Sequence, residues 1–268
     1  MTGSEPFVTA RELAATLDGS PYDDTWRALQ QYERVVDYSA RHPEKGSVAV
    51  ANALEISMGR ARSWVDDGRT PIARTAIDTA DDLGWLNLEY DDATFQGMNA
   101  LVANVFSGGY IPADRWEPYF VLNERGYRSH VLDALELVGV DELHEAADDR
   151  DNAAPRVRPA EHSALLGRVL SVLGAPRGKK STLEDIALPA YLEDAPDDTR
   201  ELFVQCYLAN RSYPDATSDS VQINERRPRE YRDELAALIE DVAGERVTSG
   251  EETITISAAA ARSLGLAP

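Results

Sequence analysis

The sequence predicts an α+β protein: a helical N-terminal domain carrying a helix-turn-helix, followed by a duplicated αββαββα region. Three observations predict it. The first is an imperfect internal repeat. Residues 94–125 read as an apolar helix, a break at Gly108-Gly109 and a strand ending Leu122-Asn123-Glu124-Arg125. Residues 199–226 read as an apolar helix, a polar break and a strand ending Ile223-Asn224-Glu225-Arg226. The second is the segment 45–69, two short helices joined by a tight turn. The third is the strict alternation of Thr253-Ile254-Thr255-Ile256-Ser257, the mark of a half-buried strand.

In chain order, residues 1–23 are expected to form an N-terminal arm, with one short amphipathic stretch at 10–17. A helix over 26–40 places Trp26, Leu29, Tyr32, Val35, Val36 and Ser39 on one face at three-four spacing, and His42-Pro43 ends it. Ser47 is expected to cap a helix over 48–54 in which Ala51 leaves room for a neighbour. Ser57 caps a second helix over 58–66, which turns Ala61, Trp64 and Val65 toward the first, and Gly68 closes it. A further helix follows to Gly84-Trp85. The helical domain therefore spans 24–88, the first repeat 93–173, a connection 174–197, and the second repeat 198–268. After each repeated strand comes a charged helix (127–137 and 231–242), then two short strands around a turn, then a closing helix (162–173 and 258–264).

Composition narrows the function classes. The chain has 268 residues and a formal net charge of −20, so broad attraction to phosphates or anionic lipid surfaces is not expected. Lys45, Lys179 and Lys180 are the only lysines among 27 basic residues. Abundant Asp, Glu, Ala and Val with so little Lys suggest a halophilic, archaeal cytoplasm, where salt screens the self-repulsion of an acidic surface. Cys206 is the sole cysteine; it excludes an internal disulfide and sits among apolar residues as a core side chain. The four histidines (His42, His130, His144 and His162) have no ligand spacing, so no metal site is expected from them. No apolar run approaches a membrane span, and the first residues lack a basic stretch followed by an apolar one. The expectation is a cytoplasmic protein with no membrane partner and no cofactor.

The segment 45–69 carries the first functional signal. A helix with small residues, a short turn and a capped second helix resembles the helix-turn-helix of many prokaryotic DNA-binding proteins, down to its Trp64, Gly68 and Pro71 ending. The open face of the second helix would present Ser57, Arg60, Arg62 and Ser63 to base edges, where an arginine reads guanine through a bidentate fork. Arg69 and Arg74 would hold phosphates.

The repeat region, from about Ala93 to Leu266, resembles the LAGLIDADG homing endonucleases and intein endonucleases. Leu101-Val102-Ala103-Asn104-Val105-Phe106-Ser107-Gly108-Gly109 is similar to a worn motif helix, and Phe203-Val204-Gln205-Cys206-Tyr207-Leu208-Ala209-Asn210-Arg211 to its partner. Gly174-Ala175-Pro176-Arg177-Gly178-Lys179-Lys180-Ser181, followed by Leu188-Pro189, resembles the family's linker and the proline before its second motif helix. The resemblance implies two helices packed along a pseudo-twofold axis, flanked by sheets that form a saddle on duplex DNA. It also implies an acidic residue at each helix end, holding a divalent ion beside a scissile phosphate.

At those two positions this chain has Gly108 and Asn210. No Asp or Glu lies between Ala93 and Ala113 or between Leu202 and Pro214. Catalytic residues and a metal are therefore not expected, and Asp114 and Asp215 are the nearest displaced acids. A helix-turn-helix joined to inactive motif halves resembles, in reversed order, a class of bacterial sporulation regulators. The resemblance implies a sequence-specific double-stranded DNA-binding protein acting in transcription regulation, with saddle contacts from Arg115, Arg125, Arg128, Arg226, Arg227 and Arg229. Lys179 and Lys180 are either a phosphate clamp or a solvated linker. Two alternatives remain open: a metal-dependent endonuclease using Asp114 or Asp215, and a protein-interaction or small-ligand module. Internal pseudo-symmetry implies a monomer, with a dimer as the alternative.

Overall fold

The structure is a computed structural model that describes residues 6–19, 21–122, 130–145, 155–180, 183, 185–214 and 219–266. It divides into two compact units, Met1–Asn87 and Leu88–Pro268.

The first unit is helical among its described residues. Helix α1 (Ala10–Ala15) opens with a capping box: the Glu12 amide donates to Thr9 Oγ1 at 3.2 Å, and the Thr9 amide donates to the Glu12 carboxylate at 2.8 Å. Leu13 and Ala14 are buried, and α1 packs on α2 (Thr25–Arg41) and α5 (Ile72–Asp82). The amphipathic stretch expected within the N-terminal arm is thus a short helix docked on the rest of the unit, its Leu13 and Ala14 buried. Helix α2 buries Ala28, Leu29 and Val35, but Val36 is 47% exposed. The expectation had placed it on the inner face. The next residue along a helix lies about 100° away, and burying Val35 turns Val36 outward.

Helix α3 (Ser47–Leu54) is followed by Glu55 at φ 55°, then Ser57 caps α4 (Met58–Ala61), which continues as one π-helical turn over Arg62–Asp66. Ser47 does not cap α3. It is the first helical residue, is buried, and donates from Oγ to Asp66 Oδ2 at 2.6 Å, tying the two helices together. Val35, Val50 and Trp64 form the core here, with Tyr32, Leu54, Ile56 and Val65 packed around them.

The second unit is mixed α+β with two small antiparallel sheets. Its two halves run in the same order. The first holds α6 (Ala93–Ser107), β1 (Phe120–Val121), α7 (His130–Leu137), β2 (Glu142–Glu145), β3 (Arg156–Pro159) and α8 (Ser163–Val172). The second holds α9 (Asp197–Arg211), β4 (Ser212–Pro214), β5 (Val221–Asn224), α10 (Arg229–Ala243), β6 (Val247–Ser249), β7 (Thr253–Ile256) and α11 (Ala258–Ser263). The sheets are ordered β1-β3-β2 and β4-β5-β7-β6. Just before β1, Tyr110 pairs with Tyr119, in the place that β4 takes beside β5. The end of the strand expected at 123–125, the start of the helix expected from 127 and the turn residues 146–154 lie outside the described residues.

Helices α6 and α9 pack on each other more extensively than any other pair. Phe95, Met98, Leu101, Val102, Val105 and Phe106 of α6 are fully buried, as are Phe203, Val204, Tyr207 and Leu208 of α9. Two buried asparagines of α6 are paired. Asn99 Nδ2 donates to the Thr199 carbonyl at 2.9 Å and Asn99 Oδ1 accepts from the Tyr191 hydroxyl at 2.7 Å. Asn104 acts as a strand partner: it donates to the Val121 carbonyl at 3.0 Å and accepts from the Val121 amide at 3.1 Å, holding β1 against α6. The connection after α8 is docked: the Gly178 amide donates to the Ile111 carbonyl at 2.7 Å, and Ile186, Tyr191 and Leu192 are buried.

Gly167 in α8 is required by close approach. A Cβ built there would lie 1.7 Å from the Trp116 carbonyl oxygen. The Trp116 indole in turn faces Arg168 and Arg177, whose guanidinium carbons lie 4.4 and 4.0 Å from its centroids. Gly167→Ala is expected to destabilise the protein by at least about 1–3 kcal/mol in denaturant titration, because backbone must move. Gly59→Ala, where nothing lies within 4 Å, should be neutral or stabilising by up to about 1 kcal/mol.

Candidate functional site

The candidate side chains of the segment 45–74 are placed as follows. Ser57 is exposed, but its Oγ accepts from the Arg60 amide at 3.4 Å. Arg60 does not face outward: its guanidinium donates to the Gln31 side chain and lies 5.0 Å from the Tyr22 centroid. Arg74 is engaged by Asp78 and by Glu33 at 3.5 Å, which raises its pKa, the Asp78 hydrogen bond outweighing its slight burial. For Arg60 this corrects the expected outward placement: the Gln31 amide oxygen and the Tyr22 ring on the neighbouring segment draw the guanidinium inward. Arg74 keeps a partly exposed side chain in its surface pair. Ser63 is half-buried. Arg69 is exposed, with Asp67 3.7 Å away. Arg62 is exposed, and no hydrogen bond or ion pair holds its side chain among the described residues.

In the second unit, Gly108 and Asn210 lie side by side. A Cβ at Gly108 would stand 3.7 Å from Asn210 Cγ and 3.3 Å from Val121 Cβ. Asn210 Nδ2 donates to Ser107 Oγ at 2.9 Å, linking the C-terminal ends of α6 and α9, and the Asn210 carbonyl oxygen is buried without a protein partner. Gly109 allows the turn out of α6, since a Cβ there would lie 2.5 Å from the Tyr119 carbonyl.

Cations converge on this end of the helix pair. A helix C-terminus leaves carbonyls unpaired and a partial negative charge. Lys180 Nζ donates to the carbonyls of Val105 (2.6 Å), Phe106 (3.3 Å) and Gly109 (2.7 Å), and Arg227 also donates to the Phe106 carbonyl. Lys180 is neither a solvated linker nor an outward clamp, and Arg227 is buried rather than on a saddle surface. Both expectations are corrected for the same reason: the orphan carbonyls of α6 are the nearest acceptors. Burial, with Arg227 and Arg211 adding to it, pushes the Lys180 ammonium down to about 7.

Glu225 balances these charges. It is buried, accepts from the Tyr207 hydroxyl at 2.6 Å, and pairs with Arg211 at 3.1 Å and Arg227 at 3.5 Å. Burial alone would raise its pKa; Arg227, the Tyr207 hydroxyl and Arg211 outweigh it and hold it below the ordinary value. Arg227 also donates to the Tyr231 hydroxyl, and Arg232 donates to the Arg227 carbonyl.

Above this network is a cavity of about 940 Å³, lined by Ser107 to Tyr110, Gly178 to Lys180, Arg211 and Asn224 to Arg227 among others. Arg211, Glu225, Tyr110 and Ser107 were not singled out from the sequence. The repeated Asn-Glu-Arg strand ending was visible, yet nothing in it marks Glu225 as buried. The other basic candidates are peripheral. Arg115 lies 3.6 Å from Asp114, Arg226 3.3 Å from Glu252, and Arg229 3.3 Å from Asp233, all exposed pairs. Lys179 is exposed at the cavity edge. Arg125, Arg128 and Asp215 lie outside the described residues.

Among the described residues, no cluster of three or more His, Cys, Asp or Glu side chains is arranged to hold a metal ion. No helix among them is long and apolar enough to cross a membrane. Compared with known proteins, the chain matches no family model and no curated sequence.

Two outcomes follow for stability. Glu225→Gln leaves Arg211 and Arg227 facing a neutral amide in a buried site, and equilibrium unfolding should show a loss of about 3–5 kcal/mol. His130 Nε2 accepts from Asn104 Nδ2 at 3.3 Å, and its burial, only partly opposed by Asp133, lowers it from 6.5 to about 4. A folded-state pKa depressed in this way means that the unfolded chain takes the proton first. Stability should therefore fall as pH drops from 6.5 toward 4, by up to about 3 kcal/mol, and His130→Gln should flatten that part of the pH profile.

Proposed function

We propose that this protein is a sequence-specific double-stranded DNA-binding protein that acts in transcription regulation, built from a helix-turn-helix unit and a LAGLIDADG-like unit without its cutting centre. The helix-turn-helix carries the reading: α3, a tight turn at left-handed Glu55, and a Ser57-capped second helix with Arg62 on its open face. Its second helix ends in a π turn, a widening that recurs at functional sites. Arg62 takes the base-reading role, with Arg69 at the phosphates; Arg60 is a positioning residue that fixes the helix against Gln31 and Tyr22.

The second unit supports the reading through its repeated element order, its matching sheet order and the central α6–α9 pair. Where the family would hold two carboxylates, Gly108 and Asn210 meet, and Lys180 and Arg227 supply positive charge to the adjoining helix end. A buried ammonium beside the place of a divalent ion opposes metal binding by repulsion. Loss of nuclease activity is part of this proposal.

The test is selection from random duplex DNA with Mg²⁺ present, at moderate and at high salt, with the strands then separated on a denaturing gel. An enriched motif on intact strands is expected. Cleaved strands would instead make the protein a nuclease, and no enrichment at either salt would end the DNA reading. Once the site is known, Arg62→Ala should weaken specific binding by about 1–3 kcal/mol and relax one position. Unchanged affinity would remove Arg62 from the interface.

A further inference from the structure

The π-helical turn of the first unit is an irregularity that the surrounding fold has to maintain. It spans Arg62–Asp66, directly after α4, and the Asp67 amide closes it by donating to the Arg62 carbonyl at 3.0 Å. In an ordinary helix that carbonyl would accept from the Asp66 amide instead. Such wider turns are rare and sit mostly at functional sites. A contact outside the helix therefore has to make the wider turn the better one.

Ser47 supplies that contact. It is the first residue of α3, only 5% exposed, and its hydroxyl donates to Asp66 Oδ2 at 2.6 Å. A hydrogen bond from a hydroxyl to a carboxylate is short and strong, and losing it would leave a buried donor without its acceptor. Two residues before Asp66, Trp64 is fixed by the core it forms with Val35 and Val50. Ser57 caps the start of α4. Arg62 lies between these anchors with an exposed side chain, so its direction follows from them.

We infer that Ser47 and Asp66 are a positioning pair that holds the π turn and thereby aims Arg62. The inference rests on the DNA reading, in which Arg62 meets a base edge. A bidentate arginine contact discriminates between bases only when the guanidinium fork arrives in one orientation, and that takes a supporting contact behind it. Neither member of the pair serves DNA directly. Ser47 is buried, and the exposed Asp66 carboxylate would repel a phosphate. Their contribution is the shape of the turn, which makes them determinants of specificity without a contact of their own.

The test uses the full chain with Ser47→Ala, Asp66→Ala and Asp66→Asn, and reads two quantities. The first is amide hydrogen exchange and needs no DNA. Exchange at the Asp67 amide should rise about tenfold in Ser47→Ala and Asp66→Ala, while amides inside α5 stay as they were. Asp66→Asn keeps an acceptor oxygen for the Ser47 hydroxyl and should restore slow exchange. The second is binding to the duplex that selection yields. Ser47→Ala changes no charge, so a general electrostatic effect cannot imitate its result. It should weaken specific binding about tenfold, relax the same base position as Arg62→Ala, and leave non-specific duplex binding unchanged. Combined with Arg62→Ala it should cost nothing further, since both act through one contact. Asp66→Ala, at an exposed position, gives the same exchange readout should Ser47→Ala fail to fold. Unchanged exchange at Asp67 in both alanine variants would overturn the inference, and so would an additive double variant or an equal loss of specific and non-specific binding. Either result with an enriched motif sinks this inference alone. Selection of no duplex ends the DNA reading and the aiming of Arg62 with it.

Discussion

The pairing of α6 with α9 is the constraint on which the second unit depends. Two helices whose packed faces are this apolar must bury them against each other, and α6 is buried along nearly its whole length. Such burial leaves its C-terminal carbonyls in a region that water does not serve. An unpaired carbonyl there costs on the order of 1–3 kcal/mol. Lys180 and Arg227 resolve that cost with charged donors. Their charge then requires Glu225, and Glu225 requires Tyr207 and Arg211. The polar network is a consequence of helix burial, and the cation-rich cavity is what remains on its open side.

The same chain of cause accounts for Gly108 and Asn210. Close contact at the helix ends leaves limited room at Gly108, where a Cβ would press on Val121 at 3.3 Å and come into ordinary contact with Asn210 at 3.7 Å. Asn210 donates to Ser107, so it serves the helix contact itself. A carboxylate at either place would be drawn to Lys180, Arg211 and Arg227, competing with Glu225. The site has settled into an arrangement whose internal charges are balanced within the protein.

Much of the fold was legible in the sequence. The recurring pattern of helix, break and strand located α6 and α9, and alternation located β7. The turn and cap chemistry around Glu55, Ser57 and Gly68 located the two short helices α3 and α4 and the turn between them. Periodicity failed at Val36, since three-four spacing admits two adjacent residues to a face that buries only one. Ser47 was misread because a serine before an apolar run signals a cap, and only the tertiary partner Asp66 reveals its other use.

The site was less legible, and for a single physical reason. Local patterns identify which residues can carry charge, but the partner of an arginine is set by tertiary distance. Arg60, Arg74, Lys180 and Arg227 were all assigned outward from sequence, and each found an internal acceptor. With 47 acidic residues against 27 basic ones, a cation here has many acceptors within reach, and the fold decides which one it takes. Arg211 and Arg227 meet at Glu225 from opposite sides of β5 in the sequence, and Lys180 reaches back to carbonyls 71 to 75 residues earlier in the chain. No local pattern encodes a distance of that kind, and it is set only once α6 and α9 have packed.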